Sequence, residues 1–159
     1  MATFDATKSG TTANSYATVD EADEYHELDF ASEEWSSIGD EIKEKLLITA
    51  TRQIDRFTAA FDKLDSTQAL KFPMDVEGLD IGDGFEQANE ACIRQALYVY
   101  QNQDSVNEGR GGIIQGVKSE AIGPMSKSFT GFNPFGKWFP GLLALLADWI
   151  DLEIKTYRA

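Results

Sequence analysis

The sequence predicts a mainly α fold, a small helical bundle with a projecting β-hairpin and a C-terminal docking helix. Apolar residues recur at steps of three and four over 40–57 and 85–103, which is the period of an amphipathic helix. Beyond the glycine-rich break at 109–112 the period changes to two residues, which favours strands. A length of 159 residues suits one domain. We therefore expect a single domain over 1–159, made of a helical core (14–103), a hairpin (113–129) and an aromatic-rich C-terminal docking segment (130–159).

The first helix is predicted to begin at Thr18. Thr18 and Glu21 have the spacing of a capping box, in which each side chain bonds the other residue's backbone N–H. Ala22 and Tyr25, with Leu28 as a third candidate, give this helix only a narrow apolar stripe, so we expect it to lie on a surface. A short helical turn follows near Ser32, with Trp35 as its anchor in the core.

The second and third helices, 40–57 and 85–103, are predicted to form the core. Between them, 64–73 is expected to form a turn and a short helix that ends at Phe72, because the residue before Pro73 avoids the α region. The glycines of 74–84 are typical of a loop. The expected core residues of the two helices are Ile42, Leu46, Ala50, Ile54, Phe85, Cys92 and Val99.

The hairpin is predicted from two short segments, 113–122 and 125–129, joined at Gly123 and Pro124. It has no large apolar face, and a two-stranded hairpin is marginally stable alone in water, so it needs a partner surface. That partner could be another subunit. The residues of this hairpin that we expect at an interface are Lys118, Ile122, Met125 and Lys127.

The C-terminal segment is the most distinctive part of the sequence. Leucines and aromatics over 142–150 form one helical seam, and Pro140 is placed to open that helix. The seam either completes the core of its own chain or docks on another protein, since aromatics with few charges mark interface centres. The docking hypothesis rests on Phe135, Trp138, Phe139, Leu142, Leu146 and Trp149.

Few residues are available for catalysis or metal binding. One cysteine and one histidine exclude a disulfide framework, a multi-cysteine zinc site and any site that needs two histidines. We expect Cys92 to fill the core and His26 to be a solvated or half-buried helix residue. The eleven carboxylates of 20–44 lack the spacing of a calcium loop, and neither a phosphate-binding loop nor a dinucleotide fingerprint is present. The sequence predicts no enzyme, no cofactor and no metal.

The charge and hydropathy of the chain bear on its partners. With 27 acidic and 14 basic residues, the formal net charge is −13, which disfavours binding to nucleic-acid phosphates. No apolar run is long enough for a bilayer, and the first residues do not resemble a secretory signal, so we expect a soluble protein made inside the cell. Lys118 and Lys127 could face either an acidic neighbour or DNA.

Four segments, taken in order, resemble one family of small phage proteins. They are 14–25 (NSYATVDEADEY), 45–55 (KLLITATRQID), 68–73 (QALKFP) and 117–124 (VKSEAIGP). With Trp35, they are similar to the motifs of tailed-bacteriophage head–tail connector, or adaptor, proteins, also labelled DnaT-like single-stranded-DNA-binding proteins. The stretch 131–159 departs from that pattern, so the docking role given to it rests on composition alone.

The resemblance implies a structural virion protein without catalytic residues. It implies a ring at the neck of the phage, of about twelve copies if it follows the portal, assembled in the host cytoplasm. The implied partners are the portal protein, neighbouring copies and a stopper or tail-completion protein, with double-stranded DNA passing through the channel without specific binding. The alternative label implies single-stranded-DNA binding, which requires a basic groove with stacking aromatics. The net charge counts against that alternative.

Overall fold

A computed structural model of the chain describes residues 3–57, 59–77, 82–102, 119–122, 125–128, 139 and 141–150. The structure is mainly helical, which confirms the predicted class. No helix in these ranges combines the length and the apolar character needed to cross a membrane. The elements are α1 (Val19–Glu27), α2 (Ser32–Ser36), α3 (Asp40–Ile54), α4 (Phe85–Gln101), β1 (Ser119–Ile122), β2 (Met125–Ser128) and α5 (Leu142–Leu145).

The capping box at the start of α1 is confirmed. The Thr18 hydroxyl accepts a hydrogen bond from the Glu21 backbone N–H at 3.1 Å, and the Glu21 carboxylate accepts from the Thr18 N–H at 2.7 Å. Two donors that the helix itself leaves unpaired are thus satisfied. The start of α1 is therefore determined by residues that lie next to it in the sequence.

Helices α3 and α4 pack against each other at the centre of the fold. On α4, Ala88, Ala91 and Ala96 are fully buried, and their small side chains let the α3 backbone approach closely. Leu47 and Ile54 of α3 fill the space between the two helices. These are the two helices that were predicted to form the core.

The buried face of α3 differs from the predicted one. Ile42, expected in the core, is half exposed, whereas only 5% of the Lys43 surface is accessible. The reason is a tertiary partner: the Lys43 ammonium lies 2.8 Å from the Asp23 carboxylate and 5.5 Å from the centre of the Trp35 ring. Leu46, Phe85 and Val99 are only partly buried.

The segment before α4 contains turns in place of the short helix predicted over 64–73. Gln68 is buried and its side-chain amide donates to the carbonyls of Leu70 and Pro73, each at 2.9 Å. The Lys63 ammonium donates to the Gln68 carbonyl at 3.0 Å. These side-chain contacts satisfy backbone carbonyls that a helix would have bonded within itself.

The described part of the C-terminal seam lies in the core of its own chain, which gives the predicted docking role no support. Leu142 and Leu146 are fully buried, Trp149 is 3% exposed and Phe139 is 9% exposed. The backbone also joins this seam to the rest of the fold, because the Ala60 N–H donates to the Trp149 carbonyl at 2.9 Å. The regular helix is a single turn, α5, shorter than the predicted 142–150.

Strands β1 and β2 pair antiparallel, with Ser119 opposite Ser128 and Ile122 opposite Met125. Lys127 pairs with Glu120 in the same register. The rest of the predicted hairpin, 113–118, 123–124 and 129, lies outside the described residues. The projection of the pair toward a partner stays a prediction.

Candidate functional site

The residues predicted at an interface fall into three groups. Phe139, Leu142, Leu146 and Trp149 lie in the core of the chain. Ile122, Met125 and Lys127 lie on the two strands, and their backbone pairing is described above. The remaining three, Lys118, Phe135 and Trp138, lie outside the described residues.

A buried hydrogen-bond network joins three of the segments that carry the family resemblance. The Tyr16 hydroxyl donates to the Asp55 carboxylate and accepts from the backbone N–H groups of Lys71 at 3.1 Å and Phe72 at 3.2 Å. The Tyr16 N–H donates to the Thr51 hydroxyl at 3.1 Å. Tyr16 is almost fully buried. The motif residues at this network therefore hold the fold together and are not arranged around an open cavity.

The electrostatics of this network favour a neutral tyrosine. Burial, reinforced by the nearby Asp55 carboxylate, raises the pKa of Tyr16 well above its ordinary value. Burial also raises the pKa of Asp55, against the lowering effect of the Tyr16 hydrogen bond. The proton therefore stays on the phenol, which keeps donating to Asp55 at neutral pH.

Cys92 is a core residue, as predicted. It is fully buried, its sulfur lies 3.3 Å from the Thr51 hydroxyl, and burial raises the pKa of the thiol to about 11. A protonated thiol with no access to solvent is a poor nucleophile. Cys92 is thus unsuited to covalent catalysis.

His26 is more buried than predicted. It has 1% of its surface exposed and packs 4.8 Å from the centre of the Trp35 ring, and burial lowers its pKa. The Asp23 carboxylate, one turn earlier on α1, accepts from the Trp35 indole N–H at 2.7 Å and from the Lys43 ammonium. The described residues contain no cluster of three or more side chains that could hold a metal ion.

Most cations whose side chains the structure describes are held by groups of the same chain. The pairs are Lys8–Asp83 (2.8 Å), Lys43–Asp23 (2.8 Å), Lys45–Glu41 (2.6 Å) and Arg94–Glu90 (2.7 Å). Lys63 and Lys71 donate to backbone carbonyls. Among the described residues, Arg52 and Arg56 have neither an ion pair nor a carbonyl acceptor, so the described surface has no broad basic groove.

An exposed apolar loop is the surface feature that sequence reasoning missed. Leu28 is 95% exposed and Phe30 is fully exposed, in the loop between α1 and α2. The exposed carboxylates of Glu27 and Asp29 lie beside them in the sequence. The signal in the sequence is a pair of large apolar residues within an acidic run, immediately after α1 ends. We call residues 28–30 the α1–α2 knob.

A cleft of about 680 Å³ borders this knob. The residues that line it include Leu28, Tyr25, Arg94, Tyr98 and Phe139. The Arg94 guanidinium is bound by Glu90 and by the Tyr25 hydroxyl at 2.6 Å, so it is not free to grip a phosphate. The cleft is an open depression beside an apolar loop, which suits contact with a protein surface better than chemistry on a small molecule.

Comparison with protein families gives one match, which spans residues 4–159. The matching family is described as "Putative DnaT-like ssDNA binding protein". Comparisons with curated proteins and with solved structures find no match. Because the family match covers almost the whole chain, the protein belongs to this DnaT-like family.

Proposed function

We propose that the protein is a structural subunit of a tailed-phage virion, a head–tail adaptor without enzymatic activity. In this role, copies form a ring at the neck between the portal protein and the stopper or tail-completion protein, around the DNA channel. The observation that carries the proposal is that most described lysine and arginine side chains are already bound by groups of the same chain. On a chain of net charge −13, four of the described basic side chains are paired with carboxylates and two with carbonyls.

Such a surface suits a channel wall better than a DNA-binding groove. Affinity for nucleic acid comes mainly from lysines and arginines that neutralise phosphates and release counterions. Arg52 and Arg56 alone would supply about two such contacts. An acidic wall repels passing double-stranded DNA and lets it slide without specific binding.

The buried motif network supports a role in assembly. Tyr16, Thr51 and Asp55 stabilise the fold and leave no reactive group exposed. A rigid scaffold that displays loops to partners is what an adaptor requires. The hairpin, with Lys118, Ile122, Met125 and Lys127, is proposed as one such contact with a neighbouring subunit or a tail component.

Single-stranded-DNA binding is the second candidate, and the description of the family favours it. It would depend on Arg52, Arg56 and aromatic side chains on which bases can stack. This candidate predicts affinity for an oligonucleotide that falls steeply as salt rises.

The two candidates are separated by native mass spectrometry of the purified full chain with the portal ring of its phage, and with a single-stranded oligonucleotide. A stoichiometric complex with the portal, and no complex with the oligonucleotide at physiological salt, is the expected result. Binding to the oligonucleotide alone, lost at high salt, would overturn the adaptor proposal. As a matched pair, Lys127→Glu should weaken the portal complex if the hairpin contacts it, whereas Lys8→Gln, at a surface ion pair, should not.

A further inference from the structure

We propose that neighbouring copies of this chain bind head to tail, with the α1–α2 knob of one copy against an exposed basic stripe on α3 of the next. This inference rests on the proposed function, because it names the contact between neighbouring copies in the proposed ring. The stripe consists of Thr49, Arg52 and Arg56, spaced three and four residues apart at the C-terminal end of α3 and in the turn that follows it.

The knob needs a partner because it places large apolar surface in water. Leu28 and Phe30 keep nearly all of their accessible surface, whereas the other apolar residues of this region, such as Trp35, are buried. Because the exposed acids Glu27 and Asp29 flank the pair, the partner surface should be positively charged and should carry a group that packs on an aromatic ring.

The stripe supplies this charge. Arg52 and Arg56 are exposed and form no ion pair within the described residues. The carboxylate between these arginines, Asp55, is turned inward and bonds Tyr16. Guanidinium groups also pack well on an aromatic face, so either arginine could lie over the Phe30 ring while it pairs with Asp29.

The knob and the arginines lie toward opposite ends of α3. Tyr16, just before α1, bonds Thr51 near the C-terminal end of α3, and Asp23 in the middle of α1 bonds Lys43 near its N-terminal end. The chain therefore runs along α1 toward the start of α3, and the knob follows beyond it. From Lys43 to Arg52 is about 14 Å of helix. The two patches are thus separate on one copy and available to two different neighbours.

Two complementary patches at separate places on one molecule make a heterologous contact. Repetition of such a contact produces a closed ring when the rotation between copies closes, and a filament otherwise. A symmetric dimer, in contrast, would use one self-complementary patch. The proposal therefore predicts a specific result for mixtures of variants.

The test uses sedimentation equilibrium of the full chain up to about 1 mM, which detects even weak association. Wild type should form oligomers that dissociate as salt rises. A knob variant, L28S with F30S, and a stripe variant, R52E with R56E, should each stay monomeric. Mixed in equal amounts, the two variants should form a 1:1 heterodimer that grows no further, because each retains one intact patch.

The control is L64S, which removes a half-exposed apolar side chain outside both patches and should associate as wild type does. Circular dichroism should show unchanged helix content in every variant, since all the substituted side chains are exposed. A wild type that is monomeric at about 1 mM, variants that assemble normally, or a mixture without heterodimers would each overturn the inference.

The same variants on an immobilised portal separate this inference from the proposed function. A wild type that self-associates through these patches but ignores the portal would refute the adaptor role and leave the head-to-tail contact standing. A wild type that binds the portal without the knob-to-stripe contact would refute the contact alone.

Discussion

The hydroxyl of Tyr16 donates a hydrogen bond to the carboxylate of Asp55, 39 positions away in the sequence, at the centre of the fold. The same oxygen accepts from the N–H groups of Lys71 and Phe72. One phenol thus connects the segment before α1, the end of α3 and the turn before Pro73. These segments carry the family resemblance, so the resemblance falls on residues that hold this fold together.

Replacement of Tyr16 by phenylalanine should destabilise the protein by about 2–4 kcal/mol, because two buried N–H groups and a partly buried carboxylate lose their partner. Urea unfolding followed by circular dichroism measures this loss. Tyr25→Phe is the matched control, since its hydroxyl bonds Glu90 and Arg94 at the surface, and it should cost less than about 1 kcal/mol. Equal effects of the two substitutions would contradict the role of the network.

The stability of the wild type should fall at alkaline pH because of the same tyrosine. The pKa of Tyr16 in the folded state lies above its ordinary value of 10.0, so the unfolded chain releases this proton first. Its contribution is fully present below about pH 10 and is lost as the pH rises toward the folded-state pKa. Denaturant titrations between pH 8 and 11, with Tyr16→Phe in parallel, measure the effect. The variant should show a shallower loss above pH 10, and parallel curves would count against the shift.

Cys92 should resist thiol reagents in the native protein. It is fully buried, and burial raises the pKa of its thiol to about 11, so little thiolate is present and none is accessible. Labelling with a chromogenic disulfide at pH 8 should be at least about a hundredfold slower in buffer than in denaturant. Because the chain has a single cysteine, the signal reports this site alone. Rapid native labelling would show that the packing of α3 on α4 opens easily.

Trp149→Ala should unfold or severely destabilise the monomer, by about 3–5 kcal/mol, because it leaves a cavity in the core. The docking interpretation of this residue predicts instead a well-folded monomer that fails to assemble. Thermal melts of the isolated protein distinguish the two results. Asp148→Ala, at the exposed neighbouring position, should leave the melting temperature almost unchanged. An unaltered melt for Trp149→Ala would restore the docking interpretation.

The sequence predicts those features of the fold that depend on local chemistry. Thr18 and Glu21 alone place the start of α1, and the alanines of α4 mark the helix that α3 approaches. The inward side of α3 could not be predicted in detail, because it depends on the contact of Lys43 with Asp23, which is 20 positions away.

The prediction of exposed surface failed in two opposite directions, for one physical reason. Trp149 and Leu146 were given to a partner but are covered by their own chain, whereas Phe30 lies in an unremarkable acidic stretch and is uncovered. Periodicity identifies the apolar side of a segment but not the element that covers it. The buried hydrogen-bond network of Tyr16 and Asp55 could not be predicted either, since its members are distant in sequence and ordinary in type.

The contact between Phe139 and Gln95 has a consequence for changes in chain length. The Phe139 N–H donates to the Gln95 side chain at 2.9 Å, about 9 Å along α4 from the last residue of that helix, Gln101. Residues 103–138 therefore connect two points that are both held by α4. Loop-closure entropy changes by only about 0.6 kcal/mol for each doubling of loop length. Lengthening or shortening this connection should therefore cost the helical scaffold little.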